Sequence, residues 1–210
     1  MTDDARQSVE TEDKLRGLYP PVSELARMKQ IDHLDKHARA FIRLSPFLLM
    51  GSMRPDRGLD VSPRGDPPGF VEVLDDHTLV IPDRPGNNRL DTLSNLVEAA
   101  EVGLLFMIPG IEMTLRVNGT ATLTADPALL AKAEINGKRP RLAVKVEVRE
   151  VFFHCAKALR RAKLWEADYR QEPAALPSIA RIICEQVGAT HVDVDQAERT
   201  SEERLKATLY

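Results

Sequence analysis

The gaps between its β-forming runs constrain this chain more than any other feature. Residues 47–53, 59–62, 70–74 and 78–81 are short and rich in β-formers. Only the turn sequences R-P-D-R-G, R-G-D-P-P-G and D-D-H separate them. A parallel strand pair needs a crossover of a dozen or more residues. None of these gaps supplies one, so the strands must be mostly antiparallel.

Three more strand candidates follow. Residues 102–108 read as fully buried, residues 113–123 alternate, and residues 142–153 place Val144, Val146 and Val148 against Lys145, Glu147 and Arg149. Between them, Asn87 or Asn88 can cap a helix whose apolar stripe is Leu90, Leu93, Leu96 and Val97. Asp126-Pro127 opens another. Upstream, Ser23 stands where an N-cap would, and Leu25, Met28, Ile31, Leu34, Ala38, Phe41 and Ile42 recur at helical spacing until Pro46. That pattern predicts one helix, or two sharing a kink, over residues 23–45. Residues 156–165 and 177–187 also read as helical, and the tail after 190 is polar. The expectation is an α+β domain over residues 1–210. It comprises a flexible arm (1–22), an N-terminal helical segment (23–45), a β core (46–155) and a C-terminal helical segment (156–210). Closing the sheet into a barrel would remove its exposed edges.

Charge and cysteine usage narrow the function classes. Lys plus Arg number 29 and Asp plus Glu 32, a net charge of −3, which lacks the basic footprint of a general nucleic-acid binder. The two cysteines, Cys155 and Cys184, form no C-x-x-C, so neither a disulfide framework nor a zinc-thiolate site is indicated. The acidic first 20 residues lack a signal-peptide core, and no apolar run reaches the length of a membrane span. The expected setting is soluble and cytoplasmic, without nucleic-acid or membrane partners.

The chemistry concentrates in three stretches. In I-P-D-R-P-G-N-N-R (81–89), a strand leads into a helix through a turn able to present backbone N–H groups, with Arg84 and Arg89 beside it. Such a set of parts binds phosphate or a similar anion; it is also what an ordinary capped helix with solvated arginines looks like. In D-V-S-P-R-G-D-P-P-G (60–69), Pro63 removes a donor from a strand end and Arg64 stands at the lip of the sheet. The alternative there is a hairpin loop with Arg64 paired to Asp60 or Asp66. Around His154-Cys155, a Cys–His nucleophile lacks an orienting Asn or Asp, and a buried thiol beside a capping His is the plainer state. His33 and His37 share a helix face but lack the Glu and third ligand of a zinc motif, so no metal site is assigned.

The ordered set DVSPRGDPPGF (60–70), TLVIPDRPGNNRLDTLSNL (78–96), VGLLFMIPG (102–110), TLRVNGTA (114–121) and HCAKALRR-x-x-LW (154–165) resembles the pyridoxamine 5′-phosphate oxidase-like FMN-binding flavoproteins. Within that family it is most similar to a bacterial branch of FMN-dependent enzymes without an assigned substrate. The resemblance spans residues 37–165. It implies a split β-barrel homodimer with FMN in clefts at the subunit interface. It further implies cofactor contacts from Ser62, Pro63 and Arg64, from Pro82 and Asp83, from the phosphate loop Asn87, Asn88 and Arg89, and from Thr114 beside the ring. Asn88 stands where the family usually has Arg. Nothing after Trp165 reproduces the segment with which true pyridoxamine phosphate oxidases bind pyridoxal phosphate. The expected function is an FMN-dependent oxidoreductase acting on a small organic molecule. The alternatives are a non-catalytic flavin carrier or sensor, and a split-barrel relative using deazaflavin or haem, with His154 the first haem ligand to inspect.

Overall fold

A computed structural model describes residues 8–189 and 191–210, in two compact units that part after Ile31. The smaller unit contains two short helices, α1 (Glu12–Gly17) and α2 (Glu24–Met28), capped by the hydroxyls of Thr11 and Ser23. Part of the expected flexible arm is therefore helical; its first seven residues lie outside the described ones. The predicted helix over residues 23–45 is two separate helices. α3 spans Lys36–Leu44, and the chain breaks before it because the Asp35 carboxylate accepts from the amides of His37 and Ala38, which starts a new helix there.

The larger unit is built on β1 (Phe47–Arg54), β2 (Gly58–Gly65), β3 (Glu72–Val73), β4 (Thr78–Pro82), β5 (Glu101–Met107), β6 (Thr114–Thr124) and β7 (Ala143–His154). All seven form one antiparallel sheet in the order β2-β1-β5-β6-β7-β4-β3. The sheet is not closed by backbone pairing: β2 and β3 remain edges. Leu48 and Met50 on β1, Leu104 and Phe106 on β5, Leu115 and Val117 on β6, and Val144 and Val146 on β7 are buried on one shared face. Burial of apolar surface there is the main favourable term of the fold.

β7 carries an irregularity. Asn118 pairs with Glu150 while Gly119 pairs with Val148, which leaves Arg149 extra. The inward series Val144, Val146, Val148 therefore resumes at Val151 rather than at Glu150.

Helix α4 (Asp91–Glu98) packs on β1, β2 and β6, burying Thr92, Leu93, Asn95 and Leu96. Helix α5 (Pro127–Lys132), capped by Asp126, sets Leu130 against Val80 and Ala143 on the opposite side of β4. Helix α6 (Lys157–Ala162) follows β7, with 3-10 turns at Ala167–Tyr169 and Pro173–Ala175. α7 (Ile179–Gln186) and α8 (Val194–Ala207) are tied by Arg181, which reaches Asp195 and Glu198, each at 3.1 Å. The polar tail is thus largely helical. Among the described residues, no helix is long and apolar enough to cross a membrane.

Candidate cofactor site

Period-two alternation along β2 turns Asp60, Ser62 and Arg64 to one side and Leu59, Val61 and Pro63 to the other. Asp60, Ser62 and Arg64 lie opposite Ser52, Met50 and Leu48 in register, on the face that α4 covers. Three polar links join β2 and β1 to α4 there. Thr92 donates to the Asp60 carboxylate at 2.5 Å and lies 2.9 Å from the Ser62 hydroxyl. With its one proton on Asp60, Thr92 must accept from Ser62, leaving the Ser62 oxygen open to a further donor. The Asn95 amide donates to the Ser52 hydroxyl at 3.1 Å.

At the end of β2 the chain meets the end of β4. Arg64 Nη1 donates to Asp83 Oδ1 at 2.9 Å, and Arg84 Nε donates to Asp66 Oδ2 at 2.6 Å. Side chains, not backbone pairs, hold this seam. The Asp66 carboxylate is only 2% exposed and Arg64 18%. Arg64 Nε is buried with no hydrogen-bond partner, a cost of about 1–3 kcal/mol unless an acceptor arrives.

The loop into α4 differs from its sequence reading. Left-handed backbone occurs at Asn88 (φ 60°) and Leu90 (φ 61°), not at Gly86. Leu90, rather than Asn87 or Asn88, is the residue before the helix, and it caps with no side chain. Asn87 instead accepts from the Arg89 amide at 3.0 Å, so that amide is spent inside the turn. Arg89 is exposed and donates from Nε to Asp91 at 2.7 Å. That hydrogen bond, with the attraction of Asp91, raises the guanidinium pKa above its ordinary value, and Asp60 adds to it. All three arginines of this corner already face a carboxylate. The corner is less positive than Arg64, Arg84 and Arg89 alone suggest, although each guanidinium keeps donors to share.

The structure thus brings Ser62, Arg64, Asp83 and the start of α4 together, with Arg89 within electrostatic reach of Asp60. It does not bring in Pro63, which faces the other side of β2, nor Thr114. Thr114 is 5% exposed at the start of β6, on the sheet face opposite Arg64 and paired in register with His154. Pro82 borders a cavity behind β4. Sequence reasoning missed Thr92 and Asn95. Their signal was present: two polar residues three apart on the stripe of Leu93 and Leu96, where a helix face turned to a sheet is normally apolar. Cys155 is exposed rather than buried. Among the described residues, no group of three His, Cys, Asp or Glu is placed to hold a metal.

A family model described as pyridoxamine 5′-phosphate oxidase matches residues 34–155, more than half of the chain. This chain belongs to that family. A comparison with curated proteins gives no match. Among solved structures, HupZ of Group A Streptococcus is similar at 14% identity, covering 58% of this chain and 99% of its own, with a TM-score of 0.47. An FMN-binding protein of Syntrophomonas wolfei is similar at 9% identity, with coverage of 56% and 88% and a TM-score of 0.42. The FAD-binding protein of Mycobacterium smegmatis is similar at 16% identity, with coverage of 59% and 97% and a TM-score of 0.41. Within the family match, the open sheet and its flanking helices are the split-barrel architecture.

Proposed function

We propose that this protein binds FMN and serves as an oxidoreductase for a small organic substrate. The phosphate would sit where β2, residues 83–89 and the start of α4 converge. The buried, unpartnered Nε of Arg64 carries this reading: it is a charged donor held without an acceptor at the seam. A phosphate oxygen would satisfy it, as charge-assisted hydrogen bonds to guanidinium groups do. Arg89 would add charge from the loop, and the Ser62 oxygen would accept from a flavin hydroxyl or N–H.

When bound, the flavin supplies hydride or electron transfer. The chain's own part is to hold the phosphate with Arg64 and Arg89 and to keep one face of the ring from water. No residue here is assigned as general acid or base.

We further infer that two copies share the site. Leu59 and Val61 on the edge strand are 84% and 65% exposed, beside Pro63. An apolar edge of this kind is what an interface covers. Thr114 lies on that side of the sheet, so in this reading it would serve the flavin of the second copy. Sedimentation equilibrium is expected to give twice the chain mass; a monomer at micromolar concentration would remove Thr114 from the site.

Purified protein is expected to show flavin absorbance near one FMN per chain. A colourless protein that refuses added FMN would refute the reading. Arg89→Ala is expected to weaken FMN binding while the unfolding midpoint stays in place, because the side chain is exposed and its ion pair is with its sequence neighbour Asp91. Reduction of the bound flavin by NADH or NADPH, followed by reoxidation with trial acceptors, separates an enzyme from a carrier.

A further inference from the structure

We propose that the cavity behind β4 is a second binding site, which takes a small monocyclic carboxylate. The cavity is about 190 Å³ and lies between the 67–70 loop, β4 and α5 with the turn that follows it. Val80 and Pro82 border it, while Leu79 and Ile81, alternating with them, are buried in the core. It is therefore on the far side of β4 from the core. An apolar cavity of about 150 Å³ admits benzene, so this one has room for a single ring bearing one small group.

Its walls are Pro67, Pro68, Phe70, Pro82, Leu129 and Ile135. Three prolines fix their own φ, so the cavity is preformed and little ordering is lost on binding. The charges around it are not equivalent. Glu72 is held by Lys132 at 2.8 Å, and Glu134 by Arg139 at 2.5 Å. Both carboxylates are thus neutralised by cations. Arg84 also borders the cavity; its Nε is spent on Asp66 and the Tyr210 ring lies 5.6 Å from its guanidinium carbon. Its two terminal nitrogens donate to no group among the described residues. A chamber with proline and Phe70 walls that ends at the Arg84 guanidinium suits an anion with a flat apolar body, and a carboxylate matches the planar fork.

Benzoate is the probe, and benzamide is its neutral isostere. By saturation-transfer NMR and calorimetry on the protein as purified, benzoate is expected to bind, and benzamide to bind at least tenfold more weakly. That is the loss associated with a hydrogen bond to a charged group. Ala133→Trp fills the cavity while leaving both members of the Arg84–Asp66 pair in the sequence, and is expected to abolish benzoate binding with the thermal midpoint retained. Arg84→Gln is expected to level the two probes. Absence of benzoate binding, equal affinities in the parent protein, or unchanged binding in Ala133→Trp would each overturn the proposal. None of these readouts depends on the flavin, so their failure leaves the cofactor reading untouched.

Discussion

Gly119→Ala is expected to cost about 3 kcal/mol of folding stability. For a chain of this size, that lowers the thermal midpoint by roughly 6–12 °C. The cause is the irregular step between β6 and β7. A Cβ built on Gly119 overlaps the carbonyl oxygen of Glu147 and stands 2.9 Å from its carbonyl carbon and 3.2 Å from the Val148 Cα. These are backbone atoms of a strand paired on both sides, with β6 and with β4, so no side chain can swing away to relieve them. The strands would have to part where Arg149 is already extra, and with them the buried row Val117, Val148 and Val151. Gly86→Ala is the control. Its Cβ meets nothing within 4 Å and its φ lies outside the left-handed region, so its folding stability is expected to stay within about 0.5 kcal/mol of the parent. Urea unfolding of the two variants decides the matter. Equal midpoints would mean that the β6–β7 step is not packed as described.

The sheet was legible because its determinants are local. Short turns between residues 47 and 82 leave only antiparallel pairing, and alternation at Val144, Val146 and Val148 marks the inward face. The extra residue was not read, although the change from a two-residue to a three-residue step between Val148 and Val151 marks it. It stays invisible to a reading that stops where alternation stops. What could not be read was the seam. Arg64 and Asp83 are 19 positions apart, and Arg84 and Asp66 are 18 apart. Which carboxylate each arginine takes depends on where β2 and β4 end in space, and no sequence period encodes that. The loop shows the same limit. Gly-Asn-Asn suggests a turn with left-handed backbone, and Asn88 adopts it, but Leu90 does so as well, outside that tripeptide, while the Asn87 side chain draws in the Arg89 amide. Thr114 illustrates a different gap: a resemblance places a residue beside a cofactor without saying which face of the sheet carries it, and Thr114 lies on the face opposite Arg64.

Arg64→Met is expected to lower FMN affinity by about 1.5–3 kcal/mol, roughly 10- to 150-fold, and to lower folding stability by about 1–3 kcal/mol. The two losses have different origins. Stability falls because Asp83, itself only 21% exposed, loses the Nη1 donor 2.9 Å away. Affinity falls because the buried Nε donor of Arg64, which has no acceptor at the seam, disappears. A second substitution separates them. In Arg64→Met/Asp83→Asn the stranded carboxylate is gone, so the unfolding midpoint is expected to recover most of its loss. FMN affinity is expected to stay low, since an amide beside a thioether offers the phosphate no cation. Fluorescence quenching of titrated FMN and urea unfolding on the same preparations give both numbers. Affinity that recovers along with stability would show that Arg64 serves the seam alone. Affinity unchanged in the single variant would move the phosphate elsewhere, and the anion corner would then be a structural ion-pair network whose buried Nε awaits a different acceptor.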